Sequence, residues 1–162
     1  MKIIDIQNHE IECRCVGCAI AAGDLTPPGG MIAQTANFVL HQDPEIPIKG
    51  FLIVASKRHI QSIAEMSQVE AQELFSLVYR ARLALQRLED IQNVTLIQEE
   101  RSKHFHLWLL PRYAWMDKQF EHSLTAIRAV LREAKGSRKT HETVQEILAA
   151  VALLREEIAV KP

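Results

Sequence analysis

Two imidazoles at alternate positions of an apolar run, His104-Phe105-His106-Leu107-Trp108-Leu109-Leu110, are the side chains in this sequence best placed to do chemistry. A neutral imidazole near pH 7 offers one ring nitrogen as a nucleophile, provided the other donates to a fixed acceptor such as a backbone carbonyl. Read as a strand, the run sends His104, His106 and Trp108 to one face and Phe105, Leu107 and Leu109 to the other. The two histidines then stand roughly 7 Å apart, within reach of one phosphate. Spacing alone is equally consistent with solvated histidines on an open sheet face. Arg101, Ser102, Lys103 and Arg112 flank the run, so they are candidates to hold phosphoryl oxygens. Each reads as readily as a solvated surface group.

A second cluster lies near the N-terminus, where Cys13, Cys15 and Cys18 crowd into six positions. An odd number so close together is a poor disulfide framework, whereas the Cys15-x-x-Cys18 spacing lets two thiolates reach one tetrahedral metal. Two further ligands must then come from elsewhere. The alternative is three reduced, partly buried thiols.

The 162 residues fit one domain. With 48% apolar and 24% charged residues the composition is that of a globular protein. The net charge of -1, from 19 Lys+Arg against 20 Asp+Glu, supplies no field toward nucleic acid or a membrane surface, and neither partner is expected. No apolar run approaches the ~20 residues needed to span a bilayer, and no targeting segment is recognised. A cytoplasmic location is expected, in keeping with reduced cysteines.

The elements that must position these groups are legible in outline. Residues 22–30, rich in Pro and Gly, form a loop. Met31–Thr35 and Phe38–His41 read as a hairpin, and Phe51–Ala55 as a buried strand. A capping box at Ser67 and Glu70 opens a helix whose apolar positions run to about Glu89. Val94–Gln98 and His104–Leu110 read as paired strands, the second ended by Pro111. Two further helices carry Leu124 to Ala134 and Val144 to Ile158. Strands cluster before helices, so the class is α+β, an antiparallel sheet of about five strands packed with a long helix and C-terminal helices.

The run His104–Leu110, followed by Pro111-Arg112, resembles the signature of the histidine triad superfamily, in which three histidines alternate with apolar residues. The resemblance extends to Cys15-Val16-Gly17-Cys18, to Phe51–Ala55 running into Ser56-Lys57-Arg58-His59-Ile60, and to the capped helix after Met66, covering roughly Cys15 to Arg112. Trp108 stands at the third histidine position. The preceding loop is shortened to Glu99–Lys103 and lacks the phosphate-contacting Gln, and Gly50-Phe51 replaces a Gly-His pair. These departures mark a divergent branch. The galactose-1-phosphate uridylyltransferase branch also lacks the third histidine and keeps the chemistry.

What the resemblance implies is a nucleotide hydrolase. His106 would attack the α-phosphorus of a phosphoanhydride, phosphoramidate or dinucleoside polyphosphate, and water would release the covalent nucleotide. His104 would help orient the phosphate or the leaving group. The Trp108 indole N–H can donate a hydrogen bond but cannot act as an acid. His41 or Asp43 would contact the ribose. By the same resemblance, Cys15, Cys18, His59 and His104 hold a structural zinc, no organic cofactor is needed, and the protein is a homodimer. The chain divides into a cysteine-containing segment (1–30), a catalytic core (31–112) and a helical extension (113–162). Nucleotidyl transfer to a non-water acceptor, or a catalytically weak nucleotide-binding module, are the alternatives.

Overall fold

The computed structural model describes residues 2–121 and 124–160, so residue 1 of the expected cysteine-containing segment and residues 122, 123, 161 and 162 of the expected helical extension lie outside the described residues. Strands β1 (Lys2–Ile4) and β2 (Glu10–Glu12) form a small hairpin, followed by helix α1 (Val16–Ala22). Then come β3 (Ala33–Gln34), β4 (Phe38–Gln42), β5 (Leu52–Ser56), helix α2 (Gln68–Ala84), β6 (Asn93–Gln98) and β7 (His106–Arg112). Helices α3 (Ala114–Gln119), α4 (Ile127–Ser137) and α5 (His141–Val160) complete the chain. The main sheet has five antiparallel strands in the order β3-β4-β5-β7-β6, so the class is α+β.

β5 is buried along its whole length because helices cover both sheet faces. Leu52 and Val54 join Phe38, Leu40 and Leu109 against Leu74, Leu77 and Ala81 of α2 and Ile147, Val151 and Leu154 of α5. Ile53 and Ala55 join Val39 and Leu110 on the other face, against Ile20 of α1 and Val130 and Ala134 of α4. The histidine face is therefore a second core with a gap in it. The two C-terminal helices divide between the layers.

α2 starts where the sequence says it should. Ser67 Oγ accepts the Glu70 N–H at 3.2 Å, and the Glu70 carboxylate accepts the Ser67 N–H at 2.8 Å. The α-helix stops at Ala84, short of Glu89, and tightens into a 3-10 turn at Leu85–Arg87. That turn seats Leu85 and Leu88 over Gly50, where a Cβ would lie 2.8 Å from Leu88 Cδ1 and where φ is +73°. Gly50 serves both the turn and the close approach.

The strand bearing the histidines differs from its expected limits at both ends. β7 runs through Pro111, which pairs only with Val94 of β6, beyond the end of β5. A proline missing its N–H is tolerated where one side of the strand has no partner. At the other end β7 begins at His106, and His104 sits in the preceding bend. The Phe105 N–H donates to Ile60 O at 2.6 Å, which draws the chain out of the ladder.

Candidate functional site

Helix α1 is capped by a thiol: Cys15 Sγ accepts the Cys18 N–H at 3.5 Å. The cap puts both sulfurs at the helix start, facing His59, just after β5, and His104, just before β7. Cys15 Sγ lies 3.3 Å and Cys18 Sγ 3.5 Å from His104 Nδ1. His59 Nδ1 lies 3.1 Å from Cys18 Sγ and 3.2 Å from His104 Nδ1. All four donor atoms fall within 4.8 Å of one another. Zinc–sulfur and zinc–nitrogen bonds of about 2.3 and 2.0 Å give tetrahedral edges of about 3.3 to 3.8 Å, so the cluster has nearly the size of a zinc site.

Protonation fits as well. His104 Nε2 is 2.8 Å from Ser56 O, and since a carbonyl can only accept, the proton sits on Nε2 and the Nδ1 lone pair faces the sulfurs. Burial, then the Cys15 sulfur beside it, pushes the Cys18 thiol up. A divalent cation reverses that push. These residues fit zinc.

Gly17 makes the approach possible. A Cβ there would lie 2.5 Å from His104 Cδ2 and 2.7 Å from its Nε2. Gly17→Ala is expected to displace the ring, lower zinc per chain and cost about 1–3 kcal/mol of stability by overpacking. Metal analysis and urea unfolding check it, and wild-type zinc content and stability would contradict it.

Next to the cysteine–histidine cluster, a cavity of about 190 Å³ opens between α1, which contributes Val16, Gly17 and Ile20, and the sheet, which contributes His41, Ile53, His106 and Trp108. His106 Nδ1 lies 3.0 Å from His104 O. The proton therefore sits on Nδ1, and the Nε2 lone pair is free. The Trp108 ring lies beside it, centroids 5.9 Å apart, and is itself braced edge-on by Phe51 at 5.4 Å. His104 O also accepts the Ser102 hydroxyl at 3.0 Å, so one carbonyl ties the loop to the imidazole.

His41 and Asp43 line the same cavity and are buried. Burial lowers the His41 pKa to about 4, and the nearby His106 adds to the effect; the His41 Nδ1–H donates to Gln42 O at 2.8 Å. Burial raises Asp43 to about 6, against two backbone N–H groups, of Glu45 and Ile46, donated at 2.8 Å. The two act oppositely on stability. His41 stays neutral while the unfolded chain protonates, so its contribution is complete above pH 6.5 and lost as the pH falls toward 4. Asp43 keeps a proton that the unfolded chain gives up, so its contribution grows as the pH falls from about 6 toward 3.8. Relative to wild type, His41→Asn should reduce the stability lost between pH 7 and 5 by about 2 kcal/mol, and Asp43→Asn should increase it by about 1 kcal/mol. Urea titrations at the two pH values check the signs. Unchanged slopes in both variants would refute the assignment.

The structure thus brings together His41, Asp43, His104, His106 and Trp108 at the cavity, and Cys15, Cys18, His59 and His104 in one cysteine–histidine cluster. It corrects three expectations. Both ring nitrogens of His104 are engaged, so His104 has none left for a phosphate. Arg101 and Lys103 are exposed away from the cavity, Arg101 lying 3.9 Å from Glu99, and Ser102 binds backbone carbonyls. Arg112 is 2% exposed and pairs with Asp117 at 3.5 Å, opposite Asn93 at the far end of β7. These corrections share a cause: sequence proximity to a strand does not say where a loop or a strand end points. Sequence reasoning passed over Ser56 and Gly17; the glycine inside the C-x-x-C was the available signal.

The five-stranded antiparallel sheet packed with helices matches the fold of histidine triad family proteins of known structure. A zinc-bound histidine triad family protein from Mycobacterium smegmatis superimposes with a TM-score of 0.59 at 19% identity, over 88% of this chain and 96% of that one. A hypothetical histidine triad nucleotide-binding protein from Sulfolobus tokodaii gives 0.64 at 18% identity, over 90% and 93%. A HIT family protein from Bacillus anthracis gives 0.58 at 22% identity, over 88% and 97%. In sequence, a Bacillus subtilis protein described as Protein hit is 28% identical over 105 residues, 61% of this chain and 71% of that protein. No family model matches the sequence.

Proposed function

We propose that the chain is a nucleotide hydrolase in which His106 attacks the α-phosphorus of a nucleoside 5′-phosphate derivative. One observation carries the reading: His106 Nδ1–H is fixed on His104 O, so the Nε2 lone pair is left open at a cavity of about 190 Å³ that is apolar on the α1 side. Attack forms an Nε2–P bond as the leaving group departs, and the ring becomes cationic with its Nδ1–H still held by the carbonyl. Water then adds to phosphorus, the Nε2–P electron pair returns to the ring, and one proton passes to solvent. His41 or Asp43 contacts the sugar. Zinc supplies structure, fixing α1 and the His104 ring whose own carbonyl orients His106.

Residues 31–112 are the catalytic core in this proposal, flanked by 1–30 and 113–162. A two-fold dimer is part of it; Phe75 and Tyr79, exposed one turn apart on α2, offer apolar surface for one. A catalytically weak nucleotide-binding module is the second reading, favoured because no Lys or Arg is among the described residues lining the cavity. The test is to incubate the protein with AMP phosphoramidate, ADP and diadenosine polyphosphates and search for a His106-linked adenylate by mass spectrometry. An adduct with turnover supports the hydrolase. Nucleotide binding with neither supports the module.

A further inference from the structure

The cavity holds an unusual set of proton donors for a site that must expel a leaving group. Each titratable side chain lining it is either engaged elsewhere or stands away from His106. His104 gives its Nε2–H to Ser56 O and turns Nδ1 to the cysteine cluster. His106 is the nucleophile, and its one proton is held by His104 O. His41 is buried and neutral, and its N–H is spent on Gln42 O. Asp43 caps its own turn, and its N–H pairs with Phe51 O, which sets it level with the Leu110 end of the sheet. That is four residues along from His106, about 13 Å at the rise of a strand. Glu45, farther out, is ion-paired to Lys135 at 2.7 Å. Trp108, at the remaining position beside His106, carries an indole N–H that donates but does not ionise.

We infer that this site acts on nucleoside 5′-phosphoanhydrides whose leaving group departs as a stable anion, a phosphate, polyphosphate or carboxylate, and discriminates against phosphoramidates and esters of poorly acidic alcohols. The inference rests on His106 attack as proposed above. With an anhydride, the P–O bond breaks, its electron pair goes to the departing oxygen, and no proton is required. An amine or alkoxide leaving group must take a proton as its bond to phosphorus breaks, and no described cavity side chain near His106 has one to give. The Trp108 N–H can still donate a hydrogen bond to a phosphoryl oxygen without entering the proton balance.

The test is a series of adenosine 5′-(aryl phosphates) graded from 4-nitrophenyl to unsubstituted phenyl, with AMP phosphoramidate as a further arm. The readout is the rate of adenylate formation on His106 in the zinc-loaded protein. A general acid contributes about 10²–10⁴-fold, so the 4-nitrophenyl ester should react faster than the phenyl ester and the phosphoramidate by at least the lower figure. Trp108→His, which supplies an ionisable ring at the same strand position, should narrow that ratio tenfold or more. Wild-type rates independent of leaving-group acidity, or phosphoramidate reacting as fast as the 4-nitrophenyl ester, would overturn the inference and leave His106 attack standing. No adduct in any arm would overturn the proposed function itself, and the inference with it.

Discussion

If the proposed function holds, His106→Ala is expected to slow adenylate formation on the protein by a factor on the order of 10³ or more while leaving the fold intact. The loss is large because nothing else in the cavity can take over the attack. His104 has no free nitrogen, and His41 stands one sheet position farther along and two strands over, opposite Ile53, which in turn faces Trp108. The stability effect is small because the His106 side chain is only half-buried and its one hydrogen bond goes to a carbonyl that Ser102 also satisfies. Single-turnover formation of the covalent nucleotide, with a urea titration beside it, reads both quantities. A variant within tenfold of wild type would remove His106 from the nucleophile role.

How far the sequence reaches is clearest along this strand. Alternation from His106 onward is right, because Trp108, Leu110 and their neighbours obey the pleat. The buried run of β5 and the capping box of α2 were readable too, since each depends on local chemistry alone. His104 was not. Its departure from the ladder is driven by a contact with Ile60, far away in sequence, and by the pull of a cluster assembled from three segments. Helix α1 was invisible for a different reason: it has seven residues, and its cap is a cysteine, a residue outside the usual capping set. The flanking cations were misplaced because charge near a motif is common, and only tertiary structure says which side chains turn inward.

The second large effect concerns the metal. Stripping zinc with a chelator, or replacing Cys15 with serine, is expected to lower stability by several kcal/mol; a site filled at a thousand times its dissociation constant contributes about 4 kcal/mol to the folded state. The cost is set by what the four ligands join. Besides packing on β5 through Ile20, α1 is tied by these side chains to the segments just after β5 and just before β7, and without a cation the described donors leave two sulfurs and two imidazole nitrogens crowded at 3.1 to 3.5 Å. The sheet with α2 and α5 has its own core, so the metal-free protein should keep its strands and lose protection first in α1 and in the bend at His104. Hydrogen exchange distinguishes that pattern from global unfolding. Because the His104 carbonyl holds the His106 proton, the same treatment should also slow adenylate formation, and restored zinc should recover it in wild type but not in Cys15→Ser. Chelation that changes neither thermal stability nor exchange in α1 would mean that the cluster is held by its hydrogen bonds alone and that zinc is not part of the fold.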